Sequence, residues 1–165
     1  PLSFGGGIKT IEDVDLRIRT GADKVIINSA AFHTPGLIPE IAHKYGSQCC
    51  VISADYRMIN NKPILHTDFG SNNTGLNIVD WVRECEKLGA GEVFLHAIDR
   101  DGKACGYDFD TISDATTATK ISAFCFAGAI FGSLSATVSS AFCSWSLLSA
   151  TFAVAALTAG AAASA

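Results

Sequence analysis

The fold is decided by the stretch Thr20-Gly-Ala-Asp-Lys-Val-Ile-Ile-Asn28, and its pattern returns in Leu88-Gly-Ala-Gly-Glu-Val-Phe-Leu-His96. Each stretch ends a helix at a glycine and continues into a short apolar run that is typical of a strand buried on both faces. Similar runs occupy Cys49–Asp55 and, at the start of the chain, Leu2–Phe4. Because helix-period segments separate these runs, the sequence predicts βαβ units and a parallel sheet, in a barrel or a doubly wound fold.

The segments between the strands carry helix start and stop signals. Thr10 is expected to cap the first helix, and Thr34-Pro35 to open the second, which runs to Tyr45. The third spans Asn77–Leu88 and stops at a glycine. A long polar insertion, residues 56–75, interrupts this rhythm and is expected to hold a small hairpin around Ile64–Thr67.

Composition and charge exclude several classes of protein. The 165 residues include 48% apolar and 17% charged side chains, and the formal net charge is −4. This composition excludes a disordered chain and offers no basic field to nucleic acid or an anionic membrane. The six cysteines form no CxxC motif, so neither a disulfide framework nor a zinc site is expected. No histidine pair has metal-ligand spacing, and the opening residues do not form a signal peptide, so we expect no metal and a cytoplasmic protein.

Candidate binding residues follow the first two strands, at the edge where parallel α/β folds place their sites. Gly5-Gly6-Gly7 could present backbone N–H groups to an anion, although a plain turn is an equally good interpretation. Asn28 and Ser29 could donate hydrogen bonds to phosphate oxygens, or could simply terminate their strand.

Candidate catalytic residues follow the next two strands. Asp55 ends a strongly apolar strand, and a partly desolvated carboxylate there suits general acid or base chemistry. The alternatives are a helix cap or an ion pair with Arg57. Asp99-Arg100-Asp101-Gly102 could position hydroxyl or phosphate groups, or form a solvated turn. His96 lies on a strand, and the pattern leaves open which side of the sheet it faces.

Together these motifs resemble one family, the cyclase subunit of imidazole glycerol phosphate synthase (HisF). The resemblance covers residues 1 to about 120 and becomes specific only when its motifs are combined. They are Phe4-Gly-Gly-Gly-Ile8, Gly21–Ala31, Gly46-Ser-Gln48, Asp55, Asn73-Thr-Gly75, Gly89–Glu92, Ile98-Asp-Arg-Asp-Gly102 and Gly106-Tyr-Asp108.

The resemblance implies a (β/α)₈ TIM barrel, of which this chain would hold roughly strands 3 to 8 as one domain. It implies a lyase of histidine biosynthesis that converts phosphoribulosyl-formimino-AICAR-phosphate to imidazole glycerol phosphate and AICAR. The ammonia would come from a HisH-like glutaminase subunit. No cofactor, nucleic acid or membrane is implied.

Family roles carry over to matching positions of this chain. Asp55 matches a catalytic carboxylate, and Lys24 and Glu92 match charged residues around the ammonia entrance at the opposite end of the barrel. The substrate and phosphate positions that the resemblance implies are Gly6, Gly7, Asn28, Ser29, Asp101, Gly102 and Gly128.

Two departures keep other functions open. The first two βα units, with a second catalytic aspartate, are not in this sequence, so the chain alone should not complete the reaction. His96 stands where the family usually has a small hydroxyl residue. The alternatives are therefore a related amidotransferase subunit that modifies bacterial surface sugars, or a non-catalytic barrel fragment that binds phosphate.

Residues 121–165 contain no charged side chain and consist largely of Ala and Ser. Ile121–Ala129 resembles the family's seventh strand and its phosphate turn. Residues 121–165 have three possible interpretations: a membrane span, an exposed alanine-rich tail, or a segment whose residues were assigned without a reliable sequence. We favour the third, because Ala or Ser replaces charged residues throughout.

Overall fold

The computed structural model describes residues 2–103 and 105–126 of the chain, without the side chain of residue 126. Strands and helices alternate along most of this length, as the sequence pattern predicts. In chain order the elements are β1 (Ser3–Gly5), α1 (Ile11–Arg19), β2 (Lys24–Ile27), α2 (Ser29–His33), α3 (Leu37–Tyr45), a 3₁₀ helix (Ser47–Cys49), β3 (Cys50–Ile59), β4 (Lys62–Thr67), β5 (Asn72–Asn77), α4 (Ile78–Leu88), β6 (Glu92–Ala97), α5 (Phe109–Ala118) and β7 (Ser122–Phe126).

Parallel pairing joins the strands β1, β2, β3, β6 and β7 in that order. Helices connect each of these strands to the next, which is the topology of successive βα units in a (β/α)₈ barrel. The predicted α/β fold class is therefore confirmed. The strand expected within Ile121–Ala129 is β7, whereas the eighth strand lies outside the described residues.

The parallel sheet has one buried face and one polar face. Alternate residues of β2, β3 and β6 pack against the helices and form the core: Val25, Ile27, Ile52, Ala54, Val93 and Leu95. The expectation that these three strands are buried on both faces is wrong for β2 and β6, whose burial alternates. Their other face, the polar face, is only half-buried: Lys24, Glu92 and His96 lie towards its two ends, and Ile26 and Phe94 lie between them. Successive side chains of a strand point to opposite faces, so this polar face follows from the strand period.

Local signals place α1 and α4 where the sequence predicts them. Thr10 accepts a hydrogen bond from the backbone of Asp13, whose carboxylate accepts one from the Thr10 backbone, completing a capping box. Asn77 caps α4, and Gly89 ends it in the left-handed region with φ of 105°.

The second predicted helix begins later than expected. The chain forms α2 directly after β2, and α3 starts at Leu37 with Gly36 as its N-cap. Pro35 lies in the turn between the two helices rather than at the first helical position. Because a residue before proline is driven towards extended backbone, Thr34 adopts φ of −135° and separates α2 from α3.

The polar insertion forms an antiparallel meander, which confirms the predicted hairpin. The end of β3 pairs with β4, and β4 pairs with β5. Asn60 and Asn61 connect β3 to β4, and both have positive φ, as a two-residue type I′ turn requires. In the part of the chain that the structure describes, no helix is long and apolar enough to cross a bilayer.

Replacing Asn77 by Ala should destabilise the protein by about 1 kcal/mol. The Asn77 side chain accepts a hydrogen bond of 2.8 Å from the backbone N–H of Val79, which alanine cannot replace. Urea unfolding measures the change. Lys87→Gln, on the exposed face of the same helix, is the control and should change stability by less than about 0.5 kcal/mol. Equal effects of the two variants would contradict the capping role.

Candidate functional site

Polar side chains from β2, β3 and β6 meet at the carboxyl end of the parallel sheet. Ser53 and Asp55 share the polar face of β3, because they are two residues apart. The parallel register sets Asp55 beside His96 of β6. Asn28 follows the last residue of β2 and reaches across to β3, where its side-chain amide donates a hydrogen bond of 3.1 Å to the Ser53 carbonyl oxygen.

Asp55 is held within this face by two neighbours. Its Oδ1 accepts a hydrogen bond of 2.8 Å from Ser53 Oγ and lies 3.5 Å from His96 Nδ1. The carboxylate is 21% exposed, so solvent still reaches it. Arg57, the ion-pair partner considered from the sequence, instead contacts Asp99 at 3.0 Å. Asp55 is thus placed as a partly desolvated carboxylate that suits proton transfer.

His96 faces the polar side of the sheet and contacts a second carboxylate. Its Nε2 lies 3.4 Å from Asp101 Oδ2, and its ring stacks on Phe94. The contact with Asp55 raises the pKa of His96 above the ordinary value against the opposing effect of burial, and Asp101 adds to the increase. The sequence pattern did not predict the contacts of His96 with Asp55 and Asp101. The two-residue period of β6, together with a polar Glu92, is the signal that indicates the direction of His96.

Asn28 and Ser29 make contacts within the protein. Besides its bond to Ser53, Asn28 accepts a hydrogen bond of 3.3 Å from Ser29 Oγ. Ser29 Oγ in turn accepts one of 2.9 Å from the backbone N–H of Asp68, which precedes β5. The pair therefore connects β2 to β3 and to the inserted meander. Their role as phosphate donors stays a prediction.

The predicted glycine positions lie in open loops. Gly6 and Gly7 follow β1 with φ of 92° and 72°, and Gly102 follows β6 with φ of 70°. A Cβ placed on any of them would have no heavy atom within 4 Å. The loops thus leave room for a ligand next to the backbone. A side chain at these positions would reduce that space. Gly128 lies outside the described residues.

Lys24 and Glu92 meet at the opposite end of the sheet. Each begins its strand, β2 and β6, and the two side chains pair across β3. Lys24 Nζ lies 2.6 and 2.7 Å from the two carboxylate oxygens of Glu92. The side chains are 20% and 14% exposed, so the ion pair is largely shielded. The structure thus separates two polar centres, one at each end of the same face.

The sequence of this chain matches known proteins of one family. A family model described as "Histidine biosynthesis protein" matches residues 1–131. Imidazole glycerol phosphate synthase subunit HisF of Sulfurisphaera tokodaii is 42% identical over 129 residues, which are 78% of this chain and 52% of that protein. The HisF subunit of Legionella pneumophila is also 42% identical, over 73% of this chain and 58% of its own length.

The chain spans about half the length of the curated relatives that it matches. Its match nevertheless includes every described strand and helix, and both polar centres. The resemblance seen in the sequence motifs is therefore confirmed. The chain belongs to the histidine biosynthesis protein family.

Proposed function

We propose that this chain is part of a cyclase subunit of imidazole glycerol phosphate synthase. The subunit would use ammonia to convert phosphoribulosyl-formimino-AICAR-phosphate to imidazole glycerol phosphate and AICAR. The observation that carries the proposal is the position of Asp55, a partly exposed carboxylate at a strand's carboxyl end in a member of this family. In parallel α/β barrels this end of the sheet holds the active site.

The reaction needs a group that moves protons. Ammonia must lose a proton as its nitrogen adds to a carbonyl carbon, and the oxygen that leaves must gain one. A carboxylate within hydrogen-bond reach of the reacting atoms can do both in turn. Asp55 suits this role because Ser53 fixes one of its oxygens while the side chain stays accessible to solvent.

The loops at the carboxyl ends of the parallel strands suit an anionic substrate. Gly6 and Gly7 leave backbone N–H groups in an open turn, and Asn28 lies at the end of the neighbouring strand. Asp101 and Gly102 follow β6, where they would meet the other end of the substrate. These roles belong to the proposal.

A glutaminase subunit is the proposed ammonia source, and the Lys24–Glu92 pair marks where its product would enter. The pair lies at the amino end of the same face that carries Asp55 at its carboxyl end. Ammonia that enters there would reach Asp55 along this face, past Ile26 and Phe94, without crossing the helices.

The decisive experiment uses the whole subunit, a chain of the length of the curated relatives. Ammonium salt and the ribulosyl substrate are supplied, and the release of AICAR is followed. We expect ammonia-dependent turnover. Turnover of a nucleotide-linked sugar instead would favour the sugar-modifying alternative. That alternative is considered because His96 stands where the family usually has a small hydroxyl residue. Phosphate binding without any turnover would favour a non-catalytic barrel.

Replacing Glu92 by Gln should impair delivery of ammonia from the glutaminase. The amide keeps the size of the side chain but leaves the Lys24 charge without its carboxylate. Glutamine-dependent turnover should fall by about tenfold, equivalent to about 1.4 kcal/mol, while turnover with ammonium salt is retained. Glu84→Gln, on the exposed side of α4, is the control. Equal loss with both nitrogen sources would contradict a role at the entrance.

A further inference from the structure

His96 lies between two carboxylates on the polar face. Its Nδ1 is 3.5 Å from Asp55 Oδ1, and its Nε2 is 3.4 Å from Asp101 Oδ2. The imidazole thus connects the end of β3 with the loop after β6 through both of its nitrogens. Its ring is 25% exposed and stacks on Phe94, which limits how it can turn.

This arrangement requires a particular charge on the ring. A neutral imidazole has one N–H and one nitrogen lone pair, so one of the two ring nitrogens would bring a lone pair close to a carboxylate oxygen. Only the imidazolium can donate towards both Asp55 and Asp101. The raised pKa of His96 agrees with this geometry.

The other side chains that neighbouring strands place near His96 are neutral or already paired with another charge. On β3, Ser53 is neutral, and Arg57 is paired with Asp99 of the loop after β6. On β7, the parallel register puts Ser122 and Phe124 on the same face, and neither titrates in the neutral range. Among the residues that the structure describes, Asp55 and Asp101 are the charged groups that contact the ring.

The substrate of the proposed function is itself a bis-phosphate anion. With a neutral ring, Asp55 and Asp101 would present two negative charges to the substrate, and like charges close together oppose binding. An imidazolium offsets one of these charges and holds the Asp55 carboxylate in place beside the ring.

We propose that His96 is a positioning residue that, as an imidazolium, bridges Asp55 and Asp101 and keeps the Asp55 carboxylate oriented for proton transfer. The inference rests on the proposed function and adds to it a residue that the sequence motifs do not assign. Its effect depends on pH: the bridge is complete below the ordinary histidine pKa and is lost as pH rises through the raised value.

The test combines a titration with kinetics on the whole subunit. The His96 ring is titrated by NMR in the wild type and in Asp101→Asn, which leaves the ring in place. We expect a pKa above about 6.5 in the wild type and a lower value in the variant. A wild-type pKa at or below about 6.5 would overturn the bridge.

The kinetic arm uses His96→Gln, which keeps a donor but cannot carry the charge. At pH 6, kcat/KM with ammonia should fall by about tenfold. The difference from wild type should shrink as pH rises through the raised pKa. His43→Gln, exposed on α3, is the control and should follow the wild type throughout.

The outcomes separate the two proposals. If the wild type does not turn over the ribulosyl substrate, the proposed function is wrong. The NMR titration of His96 then tests by itself whether the ring bridges Asp55 and Asp101. If the wild type is active and the His96→Gln profile superimposes on it, the positioning role is wrong. A uniform loss at every pH would indicate a structural role and would also overturn the inference.

Discussion

Replacing Asp55 by Asn in the whole subunit is expected to lower kcat for ammonia-dependent cyclisation by about 100-fold or more. The amide has the size of the carboxylate and can still contact Ser53 and His96, so the sheet should remain intact. It cannot accept a proton as a base. The measurement is steady-state release of AICAR with ammonium salt, which excludes any effect on the glutaminase.

The matched control for Asp55→Asn is Asp80→Asn. Asp80 is 70% exposed on the first turn of α4, and its contact is with Arg83. The control should keep the wild-type rate. A kcat for Asp55→Asn within a few-fold of wild type would remove Asp55 from the proton transfers, and Asp101 would become the next carboxylate to replace.

Replacing Gly91 by Ala is expected to destabilise the fold by about 1 to 3 kcal/mol. A Cβ at this position would lie 2.4 Å from the carbonyl oxygen of Ser47 and 2.8 Å from the backbone nitrogen of Gln48. Both atoms belong to backbone in the 3₁₀ helix that leads into β3, so no side chain can turn away to make room. Gly91 also donates a backbone hydrogen bond of 3.2 Å to Cys50, which ties the two strand starts together.

Urea unfolding of the whole subunit measures this change, with Gly36→Ala as the control. Gly36 has φ of −60°, and a Cβ there would meet no heavy atom within 4 Å. Its replacement should change stability by less than about 0.5 kcal/mol. If the two variants unfold at the same urea concentration, the close approach at Gly91 has no energetic consequence.

Sequence alone predicted the elements whose signals are local. The caps Thr10 and Asn77 and the stop at Gly89 act on backbone groups within a few residues, so each could be assigned without knowing the fold. The apolar runs that form β2, β3 and β6 are equally local. Asp55 could be singled out because it interrupts such a run at its end.

Where two local signals competed, the sequence was ambiguous. Thr34-Pro35 has the composition of a helix start, yet α2 forms immediately after β2 and places that pair in a turn. The backbone carbonyl of Asn28 accepts hydrogen bonds from the N–H groups of Ala31 and Phe32, which begins α2 at the strand end. A proline signal alone could not reveal that earlier helix.

Tertiary structure alone decided the partners within the site. The sequence suggested an ion pair between Arg57 and Asp55. In the structure Arg57 pairs with Asp99, and the strand register sets His96 beside Asp55. It likewise joins Lys24 to Glu92 across β3. These residues are far apart in the chain, and no local pattern specifies the register between their strands. The sequence by itself therefore determined the βα units and the family, and the tertiary structure decided which charges meet, because pairing across parallel strands is set by packing of the whole sheet.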